Sequence, residues 1–260
     1  MPIHHLNCMT FRLGVRSVTH CLLIESADGL VLVDTGLGRK DYEQPSVRMR
    51  VFLALNRVPR DPEATAIRQV VGLGYPPEDV RHIVLTHLHL DHCGGLPDFP
   101  WAKVHVFESE HQAATRWRQK SLLHWFGYDA AHWAHGPEWV LYGLERETWF
   151  GLSCAPVEGI RSARLVLVPL IGHTPGHCGV AVEVDEGWML HCGDAYVRDV
   201  QIDPVNPRSP FPSWAGAFER ALFPVAALQK LRALSRERGG EVQLFSAHDP
   251  IALARMRAPA

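Results

Sequence analysis

The stretch Thr86-His87-Leu88-His89-Leu90-Asp91-His92 places three histidines and one aspartate within six residues. Neutral imidazole and carboxylate are the side chains that bind zinc and related divalent ions. The competing reading is a polar loop whose histidines are neighbours by chance. Further ligands elsewhere in the chain decide between the two. The segment directly follows 80–86, a short β-prone run, so the cluster is expected just past the end of a strand.

Three other loops repeat that placement. His173 follows the β-prone run 164–171, Asp194 follows 188–191 through Cys192-Gly193, and His248 follows 242–246. In α/β sheets, ligand sites assemble beyond the carboxyl ends of strands, because rigid strands position the loops. His87, His89, Asp91, His92, His173, Asp194 and His248 make seven candidate ligands. A single zinc usually takes about four protein ligands, or about three plus water when catalytic, so this set suits two ions sharing a carboxylate. A structural zinc would favour cysteine thiolates. Cys93 and Cys192 each adjoin a candidate ligand, but the Asp194 carboxylate is the better donor in its loop.

Composition bounds the rest. The chain has 260 residues and is 47% hydrophobic, enough for one substantial core and a single domain over 1–260. Its net charge is −2, with 26 Lys+Arg against 28 Asp+Glu and no block of like charge, which argues against nucleic acid or an anionic membrane as partner. The N-terminus MPIHHLNCMTFRL lacks the basic start and apolar run of a secretory signal. No run is long enough to span a membrane as a helix. The six cysteines are scattered without a C-x-x-C pair, which speaks against a disulfide framework. A cytoplasmic protein, monomeric or homodimeric, is expected.

Along the chain, 19–25 and 30–33 read as a strand hairpin around Ser26-Ala27-Asp28-Gly29. Helices are expected over 48–55 and 62–73, and a strand over 103–107. The runs 180–184 and 188–191 form a second hairpin around Asp185-Glu186-Gly187. Residues 199–213 are a proline-rich surface loop, and 217–238 is an amphipathic helix interrupted at Pro224 and stopped by Gly239-Gly240. Residues 109–160 contain five of the eight tryptophans (Trp117, Trp125, Trp133, Trp139 and Trp149), interleaved with His124, His132 and His135. The expectation there is a helical pair with its aromatics on the core. A lid or pocket wall is the functional alternative.

The motifs HLHLDH at 87–92, GHTPGH at 172–177, GDA at 193–195 and AHD at 247–249, with Val33-Asp34-Thr35-Gly36 upstream, together resemble the metallo-β-lactamase-fold hydrolases over residues 33–249. The resemblance implies a four-layer αβ/βα sandwich: two mixed β-sheets with helices on the outer faces and metals in a cleft at one edge. It implies one ion on His87, His89 and His173, a second on Asp91, His92 and His248, and Asp194 as the bridge. Zinc is the first choice, and iron, manganese or cobalt also suit imidazole and carboxylate donors. Asp34 is expected to orient a ligand histidine, since metal-bound imidazoles need an outer acceptor. His177 either hydrogen-bonds within the site or caps the next strand.

Two ions about 3.5–4 Å apart acidify a water between them, and the expected chemistry is attack of that bridging hydroxide on a lactone or related ester. Asp91 would shuttle a proton to the leaving group. Tyr196 is a candidate for hydrogen-bonding the substrate, with buried packing as its equal alternative. Within the superfamily the chain looks most like the N-acyl homoserine lactonases. It ends twelve residues after His248, where glyoxalase II-like thioesterases usually carry a helical tail, and an aromatic-rich segment lies between His92 and His173. Its tyrosine stands two residues past Asp194, where those lactonases commonly place one three past. The substrate is therefore expected to be a small molecule with an apolar portion. The remaining readings are a thioesterase, a β-lactam or phosphoester hydrolase, and a metal-bound regulatory or ligand-binding protein without turnover.

Overall fold

The computed structural model describes residues 1–13, 15–116, 127–143, 147–213, 223 and 225–258. Among the described residues, twelve strands form two sheets. The first contains, in spatial order, β1 (Ile3–Leu13), β2 (Val15–Ser26), β3 (Gly29–Val33), β4 (Val80–Val84), β5 (Lys103–Phe107) and β6 (Glu138–Tyr142). Its first three strands are antiparallel and the steps from β3 to β6 are parallel. The second sheet runs β12 (Val242–Phe245), β11 (Gly187–His191), β10 (Cys178–Val184), β9 (Leu165–Pro169), β8 (Leu152–Pro156) and β7 (Glu147–Trp149). Only its β11–β12 pair is parallel. Both sheets are therefore mixed.

The strand sequences explain the layering. Central strands here are apolar at consecutive positions because both of their faces are covered. In β2, Leu22 and Ile24 point to the space between the sheets, while Cys21 and Leu23 point to the outer layer. Val31 and Val33 of β3 face inward, and Leu30 and Leu32 face outward. Across the interior they meet Leu165, Leu167, Val180 and Val182 of the second sheet. The outer face of the first sheet is covered by α3 (Ala66–Gly72) through Ala66 and Val70. The outer face of the second is covered by α6 (Val225–Arg238), whose Ala227, Leu228, Leu231 and Leu234 form one helical stripe. The result is the four-layer αβ/βα sandwich.

The remaining helices among the described residues are α1 (Arg39–Glu43), α2 (Val47–Leu55), α4 (Leu90–Cys93), α5 (Glu108–Arg116) and α7 (Pro250–Arg257). No helix among the described residues is long and apolar enough to cross a membrane.

Two expectations are corrected. The helical pair over 109–160 is not what the described residues form: beyond α5 they supply strands β6, β7 and β8 and a short turn at Ala130–Trp133. Trp139-Val140-Leu141-Tyr142 is aromatic and β-branched, and pairing with β5 decides its conformation. Helix 62–73 is split, because Thr65 is extended between a 3-10 turn at Pro62–Ala64 and α3. The helix over 217–238 begins at Val225 within the described residues, and its earlier part, Pro224 included, lies outside them. Strand β1 and helix α7 have no counterpart among the elements read from sequence.

Candidate metal centre

The four loops named from sequence converge at one edge of the sandwich. Backbone bonds fasten them to each other: Cys178 N–H donates to Thr86 O (3.0 Å), Thr35 N–H to His92 O (2.7 Å), and Ala247 N–H to Gly193 O (3.1 Å). Short helix α4 turns the chain directly after His89, which aims Asp91 and His92 back into the cluster.

Three interlocking groups result. Ligand atoms within each lie no more than 4.8 Å apart: His87, His89 and His173; His87, His92 and Asp194; and Asp91, His92 and His248. Asp194 sits centrally. Its Oδ1 is 2.9 Å from His248 Nε2 and 3.1 Å from His92 Nε2, and its Oδ2 is 3.3 Å from His173 Nε2. Asp91 Oδ2 is 3.8 Å from His92 Nε2 and 3.7 Å from His248 Nε2. His173 Nε2 and His89 Nδ1 approach to 3.0 Å. All seven candidate ligands are thus together. His89, Asp91 and His173 retain slight exposure, which marks the open side.

The polar accounting fits a cation. His87 Nε2, His92 Nε2 and Asp194 Oδ1 are buried without a well-directed hydrogen bond, the last two facing each other at 3.1 Å. Buried polar atoms are almost always paired, and three orphans facing one point need an occupant. The outer nitrogens are already committed. His92 Nδ1–H donates to Asp34 Oδ2 (2.8 Å) and His248 Nδ1–H to Val18 O (2.8 Å). Thr86 Oγ1 donates to Asp34 Oδ2 (2.8 Å) and receives His87 Nδ1–H (3.0 Å). Each of these bonds leaves Nε2 with a free lone pair, the form that ligates metal.

Charge tells the same story. Burial and neighbouring imidazoles hold His87 and His89 well below the usual histidine value, hence neutral. Burial alone would do the same to His92 and His248, but Asp194 and Asp91 raise both instead. Burial works against ionised Asp194, yet His248 and His92 hold it well below the usual carboxylate range. In the absence of a cation, protons on His92 and His248 balance these acids. A divalent ion would replace them.

Asp34 is buried at φ 55°, a left-handed backbone that aspartate tolerates, and its Oδ1 also accepts Thr86 N–H (2.8 Å). It orients His92 directly and His87 through Thr86. His177 sits behind Asp194: its Nδ1–H donates to Leu170 O (3.0 Å) and its Nε2 accepts Asp194 N–H (2.9 Å). Gly193, at φ 51°, makes that approach possible, because a Cβ there would lie 2.6 Å from His177 Nε2.

Tyr196 is not brought to the cluster. It is fully buried in the outer core of the second sheet, and its phenol donates to Asp199 Oδ1 (3.3 Å). A tyrosine two residues past Asp194 is already turned under the loop, and the packing alternative describes it. The described tryptophans of this stretch follow the core-packing expectation and not the pocket-wall alternative. Trp149 packs against Trp188 in the second sheet's outer layer, and Trp133 and Trp139 pack on the first sheet's outer core. Trp117, Trp125 and His124 lie outside the described residues. His132 is buried against Asp41 (2.9 Å). The aromatic rings on the site's histidines among the described residues are instead Phe11 on His248 (5.0 Å), Tyr128 on His89 (5.0 Å) and Phe223 on His173 (6.5 Å). Glu110 is a further residue that sequence reasoning missed. An acid in the first turn of a helix after a strand carries no special signal.

Residues 14–235 match the Metallo-beta-lactamase superfamily. A probable metallo-hydrolase of Mycobacterium tuberculosis is 40% identical over 257 residues, 96% of this chain and 77% of that protein. An N-acyl homoserine lactonase of Bacillus cereus is 26% identical over 171 residues, 65% of this chain and 60% of that protein. Among solved structures, an N-acyl homoserine lactone hydrolase with the product N-hexanoyl-L-homoserine at its catalytic metal centre aligns with TM-score 0.67 at 19% identity, over 98% of this chain and 96% of that one. A dizinc quorum-quenching lactonase aligns with TM-score 0.56 at 19% identity, over 91% and 74%. These two structural likenesses are of fold. With its family match, its 40% identical relative and its converging ligand loops, the chain belongs to the metallo-beta-lactamase superfamily as a metal-dependent hydrolase.

Proposed function

We propose that the chain holds two divalent ions and hydrolyses a lactone or related carboxylic ester with an apolar portion. The observation that carries this reading is the interlocking of the three ligand groups through His87, His92 and the central Asp194. His87, His89 and His173 would hold one ion, Asp91, His92 and His248 the other, and Asp194 would bridge them. Zinc suits these donors best, and iron, manganese and cobalt are chemically admissible. Such a pair supplies an acidified water and a Lewis acid for the carbonyl.

The chain's own residues do the rest. Asp34 and Thr86 fix the tautomers of His92 and His87, and His177 holds the Asp194 backbone. Asp91, beside the cluster and slightly exposed, would carry a proton at Oδ2 to the departing oxygen. Phe11 and Phe223, themselves buried, pack against His248 and His173 and keep water from those sides of the cluster. The lactone preference is supported by the likeness to N-acyl homoserine lactonases. All six cysteines are free and buried, as suits a reducing, cytoplasmic setting. The reading treats residues 1–260 as one domain, acting as a monomer or homodimer.

The test is a substrate panel on metal-loaded protein: acyl lactones, thioesters, β-lactams and phosphotriesters. Acyl lactones are expected to turn over fastest, with activity abolished by chelator and by Asp194→Ala. Rapid thioester cleavage with inert lactones would overturn the substrate class. Binding without any turnover across the panel would overturn catalysis.

A further inference from the structure

We propose that Glu110 is the positioning residue for the His87–His89–His173 group, a buried clamp that sets the gap between the 87–92 and 172–177 loops. The inference rests on the two-ion reading above and adds a residue to it.

Glu110 is fully buried in the first turn of α5. Its Oε1 accepts Leu88 N–H (3.0 Å) and the Tyr128 phenol (2.9 Å). Its Oε2 accepts the Thr174 hydroxyl (2.6 Å) and Gly176 N–H (3.0 Å). Leu88 lies between His87 and His89, and Thr174 follows His173. One side chain therefore grips both loops that supply the three-imidazole group. The Asp91–His92–His248 group has separate anchors in Asp34 and Val18 O.

The surroundings are shaped to allow this grip. A Cβ at Gly176 would lie 2.2 Å from Glu110 N, so only glycine lets that loop reach the first turn of α5. Tyr128 sets its ring edge-on to His89 while its hydroxyl holds Glu110. The neighbouring Gly127 presses against the same imidazole, where a Cβ would meet Nε2 at 2.5 Å. His89 and His173 have ligand nitrogens 3.0 Å apart, and their separation follows from the loop gap that Glu110 fixes.

Glutamine cannot replace this carboxylate. Each oxygen faces a backbone N–H, Leu88 on one side and Gly176 on the other. Whichever oxygen became NH2 would oppose a donor with a donor, and one loop would be pushed away.

The experiment compares the full-length chain with Glu110→Gln and Tyr128→Phe. Metal content and affinity are measured by chelator competition, and the two sites are separated by cadmium NMR, whose shift reports the number of nitrogen ligands. The unsubstituted chain is expected to show two resonances. Glu110→Gln should weaken the nitrogen-richer site about 10–100-fold, the size usual for losing an outer-shell partner, and spare the other. Tyr128→Phe should give a smaller loss at the same site. Unchanged affinity at both sites, or equal loss at both in a folded protein, overturns the proposal. If Glu110→Gln does not fold, Tyr128→Phe decides: no loss at the nitrogen-richer site overturns it. An unsubstituted chain that takes up only one ion refutes the two-ion reading itself, a result distinct from these.

Discussion

Replacing Asp34 by asparagine should disable two metal-binding histidines without disturbing the backbone. Asparagine tolerates the left-handed conformation found at Asp34 (φ 55°), so strain is not introduced. Asp34 Oδ1 accepts Thr86 N–H at 2.8 Å, so the asparagine oxygen must stay there. Its NH2 then replaces Oδ2 and faces Thr86 Oγ1 and His92 Nδ1, each 2.8 Å away. His92 Nδ1 must become an acceptor, which moves its proton to Nε2. Thr86 Oγ1, now receiving, turns its hydrogen to His87 Nδ1, which moves that proton to Nε2 as well. Both orphaned Nε2 atoms lose the lone pair that a cation needs. Loss of one outer partner costs about 10–100-fold in metal affinity, or about 1.4–2.7 kcal/mol. With two histidines affected, the upper end of that range is expected. Competition against a chromophoric chelator, with zinc and cobalt, measures it. Asp34→Asn protein that binds both ions as tightly as the parent would refute the tautomer argument.

Other outcomes follow from the same geometry. Tyr196→Phe should leave turnover unchanged and lower stability by about 0.5–1.5 kcal/mol, the worth of one hydrogen bond, because the phenol bonds Asp199 and Cys192 within the outer core and none of the metal-site residues. A large loss of kcat with no change in melting would restore Tyr196 to the catalytic set. The metal-free chain should lose stability in acid. Burial depresses His105 to about 3 from the usual 6.5, so the unfolded chain binds the proton first as pH falls. Its contribution is intact above about pH 6.5 and falls by about 1.4 kcal/mol per pH unit below it, near 2 kcal/mol by about pH 5. His105→Gln should reduce the fall in melting temperature between about pH 7 and pH 5. An identical fall would contradict the assignment.

The site was legible in sequence because its ligands are chemically rare and sit in short loops directly after strands. His87, His173, Asp194 and His248 each follow an apolar run that could be read without knowing how the strands pair. Their division between two ions came from resemblance; in space the ligand atoms fall into three overlapping groups, one of which joins His87, His92 and Asp194. What sequence could not supply was long-range. Nothing local distinguishes Glu110 from an ordinary first-turn acid, since its partners Leu88, Tyr128 and Thr174 meet it only through the fold. Tyr196 stayed open between substrate bonding and packing, because nearness to Asp194 in sequence does not fix which way a phenol points. The 138–142 and 152–156 strands were hidden in a tryptophan-rich stretch whose conformation is set by pairing with β5 and β9.

Anomalous diffraction from zinc-loaded crystals tests the central claim most directly. Two peaks about 3.5–4 Å apart are expected, one among His87, His89 and His173, the other among Asp91, His92 and His248, with the Asp194 carboxylate touching both. A single peak, or ions bound away from Asp194, would contradict it.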